Sequence, residues 1–143
     1  MIKKITHSVK ETQDLAKGLA TTFKGGEIIG LSGDLGAGKT AFVQGLAKSL
    51  GIRKKINSPT FILMKIYPIK NKRIKNFLHL DAYRLNDWRE LIDIGISDYL
   101  NKPDTLIAVE WVEKVKEIKK YPAYKEIKIG FTKKINERII SFK

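Results

Sequence analysis

A three-layer α/β domain around a mixed, partly antiparallel sheet is the fold class this sequence predicts. Three observations carry it. Short apolar runs of strand length alternate with amphipathic helical segments, as expected when helices cover the faces of a sheet. A glycine-rich octapeptide, GDLGAGKT at 33–40, lies between one such run and one such helix. Two further apolar runs, FILMKIY at 61–67 and IKNFLHL at 74–80, are joined by a stretch too short for a crossover, so that pair must be antiparallel.

The elements follow in order. Ser8 and Glu11 form an S-x-x-E capping box, in which each side chain takes the other's free amide. Leu15, Leu19 and Phe23, with Ala16 and Ala20, give the helical stripe behind it, and Gly25-Gly26 ends the helix. Residues 27–32 (EIIGLS) are a short apolar strand. Residues 39–50 read as a helix with Phe42, Leu46 and Leu50 on one face, stopped by Gly51. Residues 68–73 are turn-like. Residues 87–101 are partly helical, broken near Gly95, and 105–109 form a buried strand. Residues 125–131 and 138–142 alternate like strands near an edge. The chain shows no repeat, linker or low-complexity tract. Its 143 residues predict a single domain over 1–143, on a prior of roughly 100–200 residues per domain.

Composition narrows the function. There is no cysteine, which excludes a disulfide framework, a thiolate metal site and a cysteine nucleophile. No apolar run reaches the length of a membrane span, and the first residues turn polar too soon for a signal peptide, so the expected location is the cytoplasm. The net charge is +13, unevenly spread: residues 53–80 carry 8 basic side chains and no acidic one. Such a surface suits a polyanion such as tRNA. Lys supplies 23 of the 28 basic residues, a bias that AT-rich coding alone would also produce.

GDLGAGKT matches G-x-x-x-x-G-K-[ST] at every fixed position, the signature of a phosphate-binding loop. Gly33, Asp34, Leu35, Gly36, Ala37 and Gly38 would wrap a phosphate with backbone N–H groups. Lys39 would reach the β- and γ-phosphate oxygens, and the Thr40 hydroxyl would bind Mg²⁺. The amides of Thr40 and Ala41 open a helix whose positive end favours an anion. The expected fold is therefore P-loop NTPase-like.

Such a loop needs an acidic partner at the end of a neighbouring strand. Asp81 ends FLHLD and Glu110 ends LIAVE; spacing alone does not rank them. Thr60, in SPTF, lies in a loop where nucleotide switches place a hydroxyl that senses Mg²⁺ and the γ-phosphate. Trp111 follows Glu110 and could report nucleotide state. His79 reads as an ordinary strand residue, with no second His or Cys at metal spacing. NKPD at 101–104 spells the guanine-reading tetrapeptide of GTPases. It follows a helical segment and no D-x-x-G follows the phosphate loop, so it reads as a turn.

Taken in order, GDLGAGKT, SPTF, HLDAYRL, ELIDIGISDYL and VEW resemble the tRNA threonylcarbamoyladenosine biosynthesis ATPases known as TsaE, from the S-x-x-E-T helix to about residue 113. The resemblance implies a P-loop ATPase that binds ATP and Mg²⁺ and hydrolyses slowly alone. It also implies a partner protein pair that transfers threonylcarbamoyl to adenosine 37 of tRNA, on which the ATPase acts as a switch. On this carry-over Lys39 and Thr40 hold phosphate and metal, Thr60 is the switch-loop threonine, Asp81 is the carboxylate of H-x-D-x-Y-R-L, and Glu110 with Trp111 is the metal-site acid and its switch neighbour. Ala41 stands where a second Thr is common, and Val112 where Pro is usual. The rival readings are a GTPase-like switch, suggested by NKPD, a small-molecule kinase, for which five arginines and the short chain leave little lid, and a basic RNA-binding module with structural nucleotide.

Overall fold

The computed structural model describes residues 1–58, 63–70 and 73–143. Its centre is a seven-stranded sheet: β1 (Ile2–Thr6), β2 (Ile28–Ser32), β3 (Met64–Pro68), β4 (Asn76–Asp81), β5 (Thr105–Glu110), β6 (Tyr124–Phe131) and β7 (Arg138–Phe142). The order is β1-β7-β6-β2-β5-β4-β3. β6, β2, β5 and β4 are mutually parallel, while β3 at one margin and β7 and β1 at the other run antiparallel to their neighbours. The mixed sheet and the antiparallel β3–β4 pair are as expected.

Parallel strands are covered on both faces, which explains why β5 (TLIAVE) is buried at every position. One face carries α1 (Val9–Ala20) and α2 (Lys39–Ser49), packed through Phe42, Leu46, Phe77, Leu106 and Ala108. The other carries a short helix, α3 (Arg89–Asp93), and 3₁₀ turns over Leu78, Leu80, Ile107 and Val109. The third layer is thus mostly turns. Gly95, at φ 96°, breaks the 87–101 segment where expected. Among the described residues, no helix is long and apolar enough to cross a membrane.

Several boundaries differ from expectation. α1 ends at Ala20, five residues before the glycine pair, because the hydroxyls of Thr21 and Thr22 donate to the carbonyls of Gly18 and Leu19. Ser8 accepts the Glu11 amide, but the Glu11 carboxylate takes the amide of His7 and not that of Ser8. β6 lies inside the sheet between β2 and β7, and the edge belongs to β1, which the sequence reading lacked.

Candidate functional site

β2, β4 and β5 run parallel, so their C-terminal ends share one edge of the sheet, where open α/β sheets place ligands. The chain leaves β2 into the 33–38 loop, and α2 begins at Lys39. Gly36 and Gly38 take positive φ, 79° and 109°, and a Cβ on either would meet only open space. The loop therefore keeps a left-handed backbone and a clear approach for an anion. Gly33, at φ 148°, is needed for another reason: a Cβ there would sit 2.3 Å from the Ile129 carbonyl oxygen. Leu35 is 75% exposed and Ala37 is buried.

Asp81 and Glu110 pair directly across β4 and β5, and His79 lies two residues before Asp81 on the same strand. Alternation puts all three on the α2 face of the sheet. Thr40 Oγ1 donates to Glu110 Oε1 at 2.6 Å, tying the start of α2 to the end of β5. His79 Nε2 lies 2.7 Å from Glu110 Oε2. With the ring proton on Nε2, this nitrogen donates to the carboxylate, and Nδ1, without a partner among the described residues, is left as a bare acceptor. One Asp81 oxygen accepts from the Ser58 hydroxyl and the other from the Tyr83 amide at 3.0 Å. The geometry separates what spacing could not: Glu110 touches the loop threonine, and Asp81 touches the segment that follows α2.

Lys39 folds back on its own loop. Its Nζ donates to the carbonyls of Gly33 at 2.5 Å and Asp34 at 3.0 Å, and lies 3.9 Å from the centroid of a Trp111 ring. Burial pushes its amine below the usual lysine range, while the carboxylates of Glu110, Glu113, Asp81 and Asp34 favour the charge. Trp111 has φ 58°, a left-handed backbone rare for a non-glycine residue, and meets the Tyr83 ring at 4.8 Å between centroids, tilted by 45°. It is held there because Glu110 ends a buried strand and Val112, 0% exposed, is locked into the core beyond it. Val112 thus fixes by packing what a proline would fix by its ring.

Two clefts flank the loop. One, of about 410 Å³, is bordered by Lys39, Thr40, Ser58, Asp81, Glu110 and Trp111. The other, of about 290 Å³, opens between the loop, the start of α1 and Arg138. The Arg138 guanidinium donates from Nε to the Ala37 carbonyl at 3.1 Å, bracing the loop from behind. Its role and that of His79 were missed by sequence reasoning: His79 had only its place in HLDAYRL as a signal, and Arg138 had none. Thr60 lies outside the described residues. NKPD forms the turn that enters β5, at the opposite end of that strand from Glu110, so it is remote from the phosphate loop.

The donor set fits a nucleotide with its metal. The loop offers N–H groups, an amine and a hydroxyl to phosphate. Among the described residues, no three His, Cys, Asp or Glu side chains gather as a cation cage. Mg²⁺ needs none, since it is held by one or two protein oxygens, phosphates and water.

Comparison with known proteins agrees. The profile of the family described as "Threonylcarbamoyl adenosine biosynthesis protein TsaE" matches residues 6–140, well past the point where the motifs fade. The tRNA threonylcarbamoyladenosine biosynthesis protein TsaE of Bacillus subtilis is 39% identical over 112 residues, 78% of this chain and 67% of that protein. That of Aquifex aeolicus is 39% identical over 116 residues, 78% of this chain and 77% of that protein. The crystal structure of Bacillus subtilis YdiB superposes with a TM-score of 0.75 at 32% identity, covering 99% of this chain and 83% of that one. With the phosphate loop, the paired carboxylates and the sheet order all in place, the chain belongs to the TsaE family of tRNA threonylcarbamoyladenosine biosynthesis proteins.

Proposed function

We propose that this protein is a Mg²⁺-dependent ATPase of the cytoplasm, slow by itself, that acts as an ATP-driven switch on the protein pair transferring threonylcarbamoyl to adenosine 37 of tRNA. The observation that supports this reading best is the Thr40–Glu110 hydrogen bond, which joins the phosphate loop to a strand-end carboxylate. When bound, ATP·Mg²⁺ supplies the phosphoanhydride and the charge that neutralises it. Lys39 leaves the Gly33 and Asp34 carbonyls for phosphate oxygens, regaining full charge compensation. Thr40, which donates to Glu110, would hold the metal through a hydroxyl lone pair. Glu110, and Asp81 beside it, would orient the attacking water, and Thr60 would sense the γ-phosphate. Trp111, in contact with Lys39, registers the change.

The test is ATP binding and hydrolysis by the pure protein and by two variants, with and without the partner pair. Lys39→Ala weakens ATP binding about 100-fold or more, because it removes a charge-assisted contact from a partly buried site. Glu110→Ala binds ATP within a few-fold of wild type and loses about 100-fold in turnover. The partners raise wild-type turnover. Wild-type turnover in Glu110→Ala would overturn the role given to that residue, and fast turnover indifferent to partners would overturn the switch.

A further inference from the structure

Away from the nucleotide site, two adjoining surface clefts of about 640 and 620 Å³ share one wall, the segment that follows α2. Arg53, Lys54 and Lys55 stand on that wall, and Lys65 and Lys70 on and beyond β3 form the far side of the second cleft. All five are exposed. Residues 53–80 contain no acidic side chain, so no neighbour in sequence offsets this charge. Across the described residues the Lys and Arg ion pairs form elsewhere: Lys10 with Asp14, Arg89 with Asp87, Lys119 with Glu126, Lys134 with Glu137. The groove lies along β3, the last strand of the sheet, whose outer side faces no other strand among the described residues. A concave surface with one sign of charge focuses the field and concentrates counter-ions.

We infer that this groove is a binding site for the phosphodiester backbone of RNA, in which Arg53, Lys54, Lys55, Lys65 and Lys70 neutralise successive phosphates. Its composition favours RNA over an acidic protein face. Four of the five cations are Lys, which protein interfaces deplete at their centres, whereas point-charge contact with phosphate uses Lys as readily as Arg. No recognition of base sequence is implied. The site goes beyond the nucleotide cleft and does not depend on it.

The far end of the shared wall also reaches the nucleotide site. Gln44 Nε2 holds the Ile56 carbonyl at 2.7 Å, and two residues on, Ser58 hydrogen-bonds Asp81. A backbone seated at Arg53–Lys55 therefore lies on the segment that carries Asp81's partner.

The experiment is fluorescence anisotropy of a labelled, unmodified tRNA transcript, without nucleotide, across 50–200 mM salt. Reading binding without ATP separates failure of this site from failure of the ATPase reading. The wild type binds, and its affinity falls steeply with salt. Arg53→Gln/Lys54→Gln/Lys55→Gln weakens binding about tenfold or more at 0.1 M salt and flattens the log–log salt slope by about 2–3. Lys65→Gln/Lys70→Gln flattens it by about 1–2. Lys114→Gln/Lys116→Gln/Lys120→Gln, with the same charge change on the 3₁₀ turns, stays within about twofold of wild type. No RNA binding by the wild type overturns the proposal, as does equal loss in this last variant, which would show diffuse attraction. Binding of an acidic protein that needs the groove when RNA does not would overturn it too.

Discussion

His79 is fully buried and holds Glu110 by Oε2, leaving Oε1 to accept from Thr40. A carboxylate gripped at one oxygen cannot swing, so the imidazole acts as a positioning group for Glu110. Removing it leaves Glu110 Oε2 without its partner in a site where an unpaired charge is costly. His79→Leu is expected to lower kcat about tenfold or more while ATP affinity stays within about twofold, since on the proposed reading the phosphates would contact the loop and not His79. In His79→Gln the amide nitrogen reaches the place of Nε2 and restores part of the rate. Steady-state kinetics beside nucleotide titration checks this; a uniform loss of affinity, with kcat intact, would refute it. The histidine was illegible as a site residue because its meaning lies in a pairing across strands. Lys39 and Thr40 were legible because a contiguous motif carries them, and Arg138 was not, because it acts on carbonyls some hundred residues away.

At the scale of elements, α1 and α2 lie so close that no side chain fits between them at one point. A Cβ on Gly45 would fall 2.3 Å from the Gln13 carbonyl oxygen and 2.8 Å from the Ala16 Cβ. Both neighbours are backbone-fixed, so the helices themselves must separate. Gly45→Ala is therefore expected to destabilise the protein by about 1–3 kcal/mol, in spite of alanine's better helix propensity of about 1 kcal/mol. Thermal unfolding reads this as a fall of several degrees, and a rise in midpoint would contradict the close packing. The helical stripes of both elements were legible because Leu15, Leu19, Phe42 and Leu46 repeat with the helical period. The end of α1 was not, because glycine is a strong punctuator and the capture of two carbonyls by Thr21 and Thr22 is a weak local signal. β1 was missed for a different reason. IKKIT is exposed at four of its five positions, so no alternation marks it, and its partner β7 is at the far end of the chain.

Across the whole molecule, stability and function are laid out in bands. The four parallel strands are closed between two apolar layers, one under α1 and α2 and one under α3 and the 3₁₀ turns. The strands at the margins are thinly covered: β1 is exposed at most positions and β3 has no fully buried residue. The phosphate loop and both carboxylates leave the rigid band at its C-terminal edge, which holds the reacting groups in register. The groove that we assign to RNA borders β3, one of these thinly covered margins. Native-state hydrogen exchange should reproduce these bands. Amides of Ile29, Leu31, Leu78, Ile107 and Ala108 should exchange only by global opening, and those of β1 and β3 about 100-fold faster or more, by local release of the margins. Uniform protection across all seven strands would mean that the margins unfold only with the core. β3 could then not open on its own, and its register beside the groove would be held by the whole sheet.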